Sequence, residues 1–130
     1  MRLLRTIAAV LIGLAFMAAT TTVWAIVGRG GAHPYADLGV AGIGAVIGGW
    51  LTARTAPGAP YGHAAALASI VAVVALPTAT GPPAASQPGW YPAAIGLVAV
   101  LGVLLGGKLR AAAASAEGPA RTIQPGEQRD

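Results

Sequence analysis

Carboxylates are scarce in this chain, and their positions limit the chemistry open to it. Asp37, Glu117, Glu127 and Asp130 are the full set, and the last three fall near the C-terminus. Two carboxylates flanking one reacting bond, as acid–base hydrolysis requires, are therefore not at hand. Asp37 has two readings. With His33 it could form a site for a cation or substrate at the outer mouth of a membrane bundle. Shortly after Pro34, it also suits the first turn of a helix, where the dipole favours a carboxylate by about 0.3–1 kcal/mol. Arg29 is near enough in sequence to pair with it there. The second histidine, His63, belongs to the opposite side of the bilayer in the topology below, so the two cannot share one metal. No metal site and no cofactor are expected.

The nucleophiles are equally bare. The chain has no cysteine, which removes disulfides, thiolate chemistry and cysteine-ligated metals. Ser69 stands in a charge-free span with no base beside it, and a hydroxyl without a base is not activated. Thr20, Thr21 and Thr22 either line a polar path or bond back to the carbonyls of the preceding turn. No glycine loop ends in Lys-Ser or Lys-Thr, so a phosphate cradle is not expected either. The residues point away from an enzyme.

The elements that must position these residues follow from composition. Hydrophobic residues make up 55% of the chain, charged ones 9%, and 19 of its 130 residues are glycine. A soluble domain has about 25% charged residues, and a disordered chain has more charge and less apolar content. The expected fold class is all-α: an integral membrane bundle of four transmembrane helices. The net charge of +4 comes from basic residues scattered at the ends of apolar runs. They act as topology signals rather than a nucleic-acid patch.

Spans are expected at about 6–27, 36–53, 62–80 and 90–108, each near the ~20 residues that cross a hydrocarbon core. Between Arg54 and Lys108 no charged residue occurs. The turn within that stretch is marked by the prolines from Pro77 to Pro88. Residues 1–110 then form the transmembrane domain and 111–130 a polar, mobile cytoplasmic tail. Arg2, Arg5, Arg54, Lys108 and Arg110 fall on one side and Arg29 alone on the other. That split sets both termini in the cytoplasm. Trp24, Tyr35, Trp50, Tyr61, Trp90 and Tyr91 all lie at run ends, at headgroup level. A competing reading takes Met1 to Ala25 as a cleaved secretory signal, leaving three spans.

Shifting the chain by 58 residues superimposes Val40-Ala41 on Val98-Ala99, Gly44 on Gly102 and Gly48-Gly49 on Gly106-Gly107. The echo reads either as two parallel-repeat hairpins or as the likeness of any two Gly-Ala-Val-Leu helices. Gly44 with Gly48, and Gly102 with Gly106, are four apart and share a helix face. Such faces let helix backbones approach closely in lipid. They serve either a dimer or the packing of crossing two against crossing four.

The run Gly42-Ile43-Gly44-Ala45-Val46-Ile47-Gly48-Gly49-Trp50-Leu51 resembles a segment of the small bacterial transglycosylase-associated membrane protein family. The resemblance covers about a dozen residues. It implies a small bacterial inner-membrane protein and no particular reaction. The expected function is that of a non-enzymatic accessory or scaffold subunit. Its partners would be the lipid bilayer and other membrane subunits or its own copies, with no nucleic acid. The alternative is a channel or transporter for a small solute or ion.

Overall fold

The computed structural model describes residues 2–28, 33–56, 58–81 and 87–117. Four helices occupy them: α1 (Arg2–Val27), α2 (Pro34–Thr55), α3 (Pro60–Thr80) and α4 (Tyr91–Ala116). Each is long and apolar enough to cross a membrane. The described residues contain no strand. The chain is a multi-pass helical membrane protein.

The ends of the helices have local causes. Pro34, Pro60 and Pro92 stand at the first or second positions of α2, α3 and α4. A helix leaves its first N–H groups without intrahelical partners, so a proline there forfeits nothing. Ala56 turns extended to end α2, and Gly58 takes the left-handed φ of 89° in the following turn. Pro77 does not end α3, which runs one more turn to Thr80. Hydroxyls cover the carbonyls of that turn: Thr78 donates to Ala75 O at 2.7 Å and Thr80 to Leu76 O at 3.0 Å. α4 passes the predicted boundary at 110 and takes Ala111–Ala116 into the helix. Alanine has the strongest helix propensity of all residues, and Arg110 Nη1 lies 3.6 Å from Glu117 Oε2 across the last turns. The rest of the expected tail, 118–130, lies outside the described residues.

α2 is the centre of the bundle. It packs on α1, α3 and α4, whereas the described parts of α1 and α4 do not meet backbone to backbone. Ala45 of α2, Leu67, Ala68 and Val71 of α3, and Val103 of α4 form the core, with Met17 of α1 packed against it. The seams are made by glycine. A β-carbon on Gly106 would overlap the Val46 carbonyl oxygen, and one on Gly49 would overlap that of Val103. Gly107 sits equally close to Ala64 of α3.

Two expectations change here. The four glycines do not form one α2–α4 face: Gly102 and Gly106 lie on α2, but Gly44 and Gly48 lie on α1. A β-carbon on Gly48 would stand 2.8 Å from Met17 Cγ and 3.1 Å from the Gly13 carbonyl, and one on Gly44 3.2 Å from Thr20 Cγ2. The α2 residues that meet α4 include Gly42, Ala45, Val46, Gly49 and Trp50. The echo at 58 residues likewise lacks matching contacts. α2 and α4 run parallel, yet the backbone of α2 meets that of α3 while the described backbones of α4 and α1 do not meet. Parallel-repeat hairpins are not confirmed.

Candidate functional site

At one end of the bundle, α1 finishes while α2 and α4 begin, and Asp37 lies among them. Its backbone N–H donates to the His33 carbonyl at 2.9 Å, which places it in the first turn of α2. Its carboxylate reaches both neighbours. Trp24 Nε1–H of α1 donates to Oδ1 at 2.7 Å, and the Tyr91 hydroxyl of α4 donates to Oδ2 at 3.2 Å. A single acid therefore links two helices whose described backbones do not come into contact.

Tyr91 begins α4, at a run end as expected, but its ring turns into the bundle. It is 7% exposed, while Tyr35 is 79% exposed. Burial of the ring makes a partner for its hydroxyl valuable, and Asp37 supplies it. Trp90 stands between them, its ring centroid 5.8 Å from that of Tyr35 and 6.2 Å from that of Tyr91. The spacing of aromatics at run ends was visible in the sequence. Which of them turn inward was not, because the Asp37–Tyr91 contact spans 54 residues.

A cavity of about 300 Å³ opens beside the carboxylate, lined by Trp24, His33, Asp37, Tyr91 and Ile95 among others. His33 and Asp37 are thus brought to one cavity, as the outer-mouth reading requires. Arg29, the expected pairing partner of Asp37, lies outside the described residues. Deeper in, a second cavity of about 160 Å³ shares Thr21, Ala41 and Ile95 with the first and adds Met17, Gly44, Ala75, Gly96 and Ala99. Together they form a cleft between α1 and α4, floored by α2 and apolar below its mouth. It lies where the described backbones of α1 and α4 do not meet.

The cleft does not continue to the other end. There Gly13 packs into Thr52, Gly48 and Leu67, and Thr52 and Leu67 are fully buried. Beyond this plug lie the basic residues Arg5, Arg54, Lys108 and Arg110, with the Arg54 guanidinium 5.0 Å from the Trp50 ring centre. His63 is at this end, far from His33. Its Nε2 is 3.1 Å from Thr6 Oγ1 and its Nδ1 2.9 Å from Ala59 O. Among the described residues no three His, Cys, Asp or Glu side chains gather to hold a metal.

Several other hydroxyls serve their own helices. Thr20 donates to Phe16 O at 2.9 Å, Thr21 to Met17 O at 3.1 Å and Ser69 to Ala65 O at 3.0 Å. Thr52 does the same to Gly48 O at 3.0 Å. Chemically, the arrangement offers one carboxylate held by two neutral donors at the head of an apolar cleft.

Comparison with protein-family models, curated proteins and solved structures finds no match. The class of protein is therefore defined by the fold itself, a multi-pass helical membrane protein.

Proposed function

We propose that the chain is a non-enzymatic accessory or scaffold subunit of a membrane complex, or of a homo-oligomer, in a bacterial cytoplasmic membrane. The observation that carries this reading is the closed lower half of the bundle. Gly13, Gly48, Thr52 and Leu67 fill the space through which a solute would have to pass. The hydroxyls nearest to it bond to their own backbones. Polar groups inside a membrane are costly and mark pathways where they persist, and no file of them runs the length of this bundle among the described residues. The surface, in contrast, is mostly side chains suited to lipid or to another apolar helix, with α1 the least covered of the four. The bacterial assignment rests on the resemblance of the run Gly42–Leu51.

A transporter or channel remains the second reading, supported by one observation: the cleft under Asp37 is half of a path. Two measurements decide between them. Native mass of the protein released from nanodiscs should show a stoichiometric partner or a defined oligomer, and proteoliposomes should show no flux above that of empty vesicles. A monomer with saturable solute flux would reverse the assignment.

Sidedness is a separate prediction. The basic end of the bundle carries Arg5, Arg54, Lys108 and Arg110, and such an excess is retained in the cytoplasm. Reporter fusions after Gly31 and Gln87 should signal from outside, and fusions after Ala59 and Ala116 from the cytoplasm. A cytoplasmic signal at Gln87 would refute this orientation.

A further inference from the structure

The cavity at Asp37 has features that neither a lipid-facing surface nor a simple helix cap requires. The geometry points to a binding site for an organic ammonium ion with an apolar tail, its head beside the Asp37 carboxylate and its tail in the cleft between α1 and α4.

Charge supports the head. Asp37 is the acid of this end of the bundle among the described residues, whose lysine and arginine side chains gather at the other end. Its position in the first turn of α2 sets it beside the helix N-terminus. Trp24 and Tyr91 each use one lone pair on a different oxygen. A carboxylate has about four such sites, so both oxygens retain acceptor capacity. Both donors are neutral, and among the described residues no basic side chain forms an ion pair with this carboxylate. Trp24 and Tyr91 line the cavity, and aromatic rings suit an organic ammonium better than a strongly hydrated metal ion. Among the described residues no second acid stands with Asp37 to complete a metal shell. The cavity, at about 300 Å³, is at the lower bound of small-ligand pockets, which start at roughly 300 Å³.

The cleft supports the tail. From Asp37 to Gly44 the floor descends about 10 Å at 1.5 Å per residue. Its walls there are Met17, Ala41, Ala75, Ile95, Gly96 and Ala99. Small residues on α2 and α4 leave the space open, and the absence of an α1–α4 contact keeps it so. A chain of several methylenes fits that depth.

The test uses the full chain in maltoside micelles, with Trp50→Phe and Trp90→Phe so that emission reports Trp24. Octyltrimethylammonium should change that emission saturably, and tetramethylammonium should bind at least tenfold more weakly. Octanol, which enters the micelle equally but has no charge, should give no saturable change. Asp37→Asn should raise the apparent Kd for the ammonium at least tenfold while helicity is retained. Equal responses to octanol and the ammonium in the unsubstituted site would overturn the proposal without reference to any variant at Asp37. So would an unchanged Kd in Asp37→Asn. Binding that appears only after Arg29→Gln would assign the carboxylate to that arginine and overturn it as well. Equal affinity for the tetramethyl and octyl ions would remove the cleft from the site.

Discussion

Gly106→Ile is expected to stop the folded bundle from accumulating in the membrane. The position has no slack. A β-carbon there would overlap the Val46 carbonyl oxygen and stand 2.8 Å from the Trp50 nitrogen. Both are backbone atoms of α2, so relief requires the helices to separate. Overpacking a core typically costs about 1–3 kcal/mol, and more where the neighbour cannot rotate away. Gly49→Ile meets the same seam from the other side, against the Val103 carbonyl, and should do comparable damage. Gly44→Ala should be far milder, since its obstacle at 3.2 Å is the methyl of Thr20, a side chain on a helix held from one side. Gly39→Ile is the control, because a β-carbon at Gly39 meets nothing within 4 Å. Expression level and monodispersity after detergent extraction are the measurements. If Gly106→Ile accumulates like Gly39→Ile, the α2–α4 seam is not as close as described. If it loses only oligomer and keeps a folded monomer, the glycine face belongs between chains.

These glycines also show how much the sequence disclosed. At about 100° per residue, Gly42 and Gly49 fall within about 20° of each other, while Gly44 and Gly48 lie roughly 200–240° away from Gly42. The two spacings name two partners for α2, on nearly opposite faces. Reading only the four-residue spacing merged them into one. The identity of those partners was less accessible, since Gly13 of α1 has no glycine four residues away to flag it.

The four crossings themselves were legible because burial in lipid leaves a plain mark. Charge-free runs near 20 residues and the prolines between them determine the number and order of helices, and the observed ends fall within a few residues except at α4. That helix overran because Ala111–Ala116 has no reason to stop, whatever its distance from the membrane. The cleft was not legible. It arises from a missing contact between α1 and α4, and absence of contact has no residue signature. Asp37 and His33 were visible as candidates, but the roles of Trp24 and Tyr91 were hidden. An aromatic at a run end serves the headgroup layer equally well facing out or in, and only the packed neighbours decide.

Asp37→Ala should be the most destabilising single change at that end, lowering the unfolding free energy by about 1–3 kcal/mol. The loss has two parts. One is the charge-assisted bond from Trp24 Nε1–H, which at 2.7 Å is in the short range typical of ionised acceptors. The other is the penalty of leaving the Tyr91 hydroxyl, on a ring 7% exposed, without its partner. Trp24→Phe and Tyr91→Phe each remove a donor and its need together, so each should cost less than Asp37→Ala. Tyr91→Phe should cost least, because its bond at 3.2 Å is the longer of the two. Asp37→Asn keeps an amide oxygen for Trp24 and an NH₂ for the Tyr91 oxygen, and should be nearly silent. The sharper test is the double mutant. Once Asp37 is alanine, Tyr91→Phe should become neutral or stabilising, giving an interaction energy of about 0.5–3 kcal/mol for groups in contact. Unfolding in mixed micelles followed by circular dichroism reads all five variants. Strict additivity would mean that Tyr91 reaches Asp37 without gaining from it, and the link from α2 to α4 at this end would then be geometry without energy.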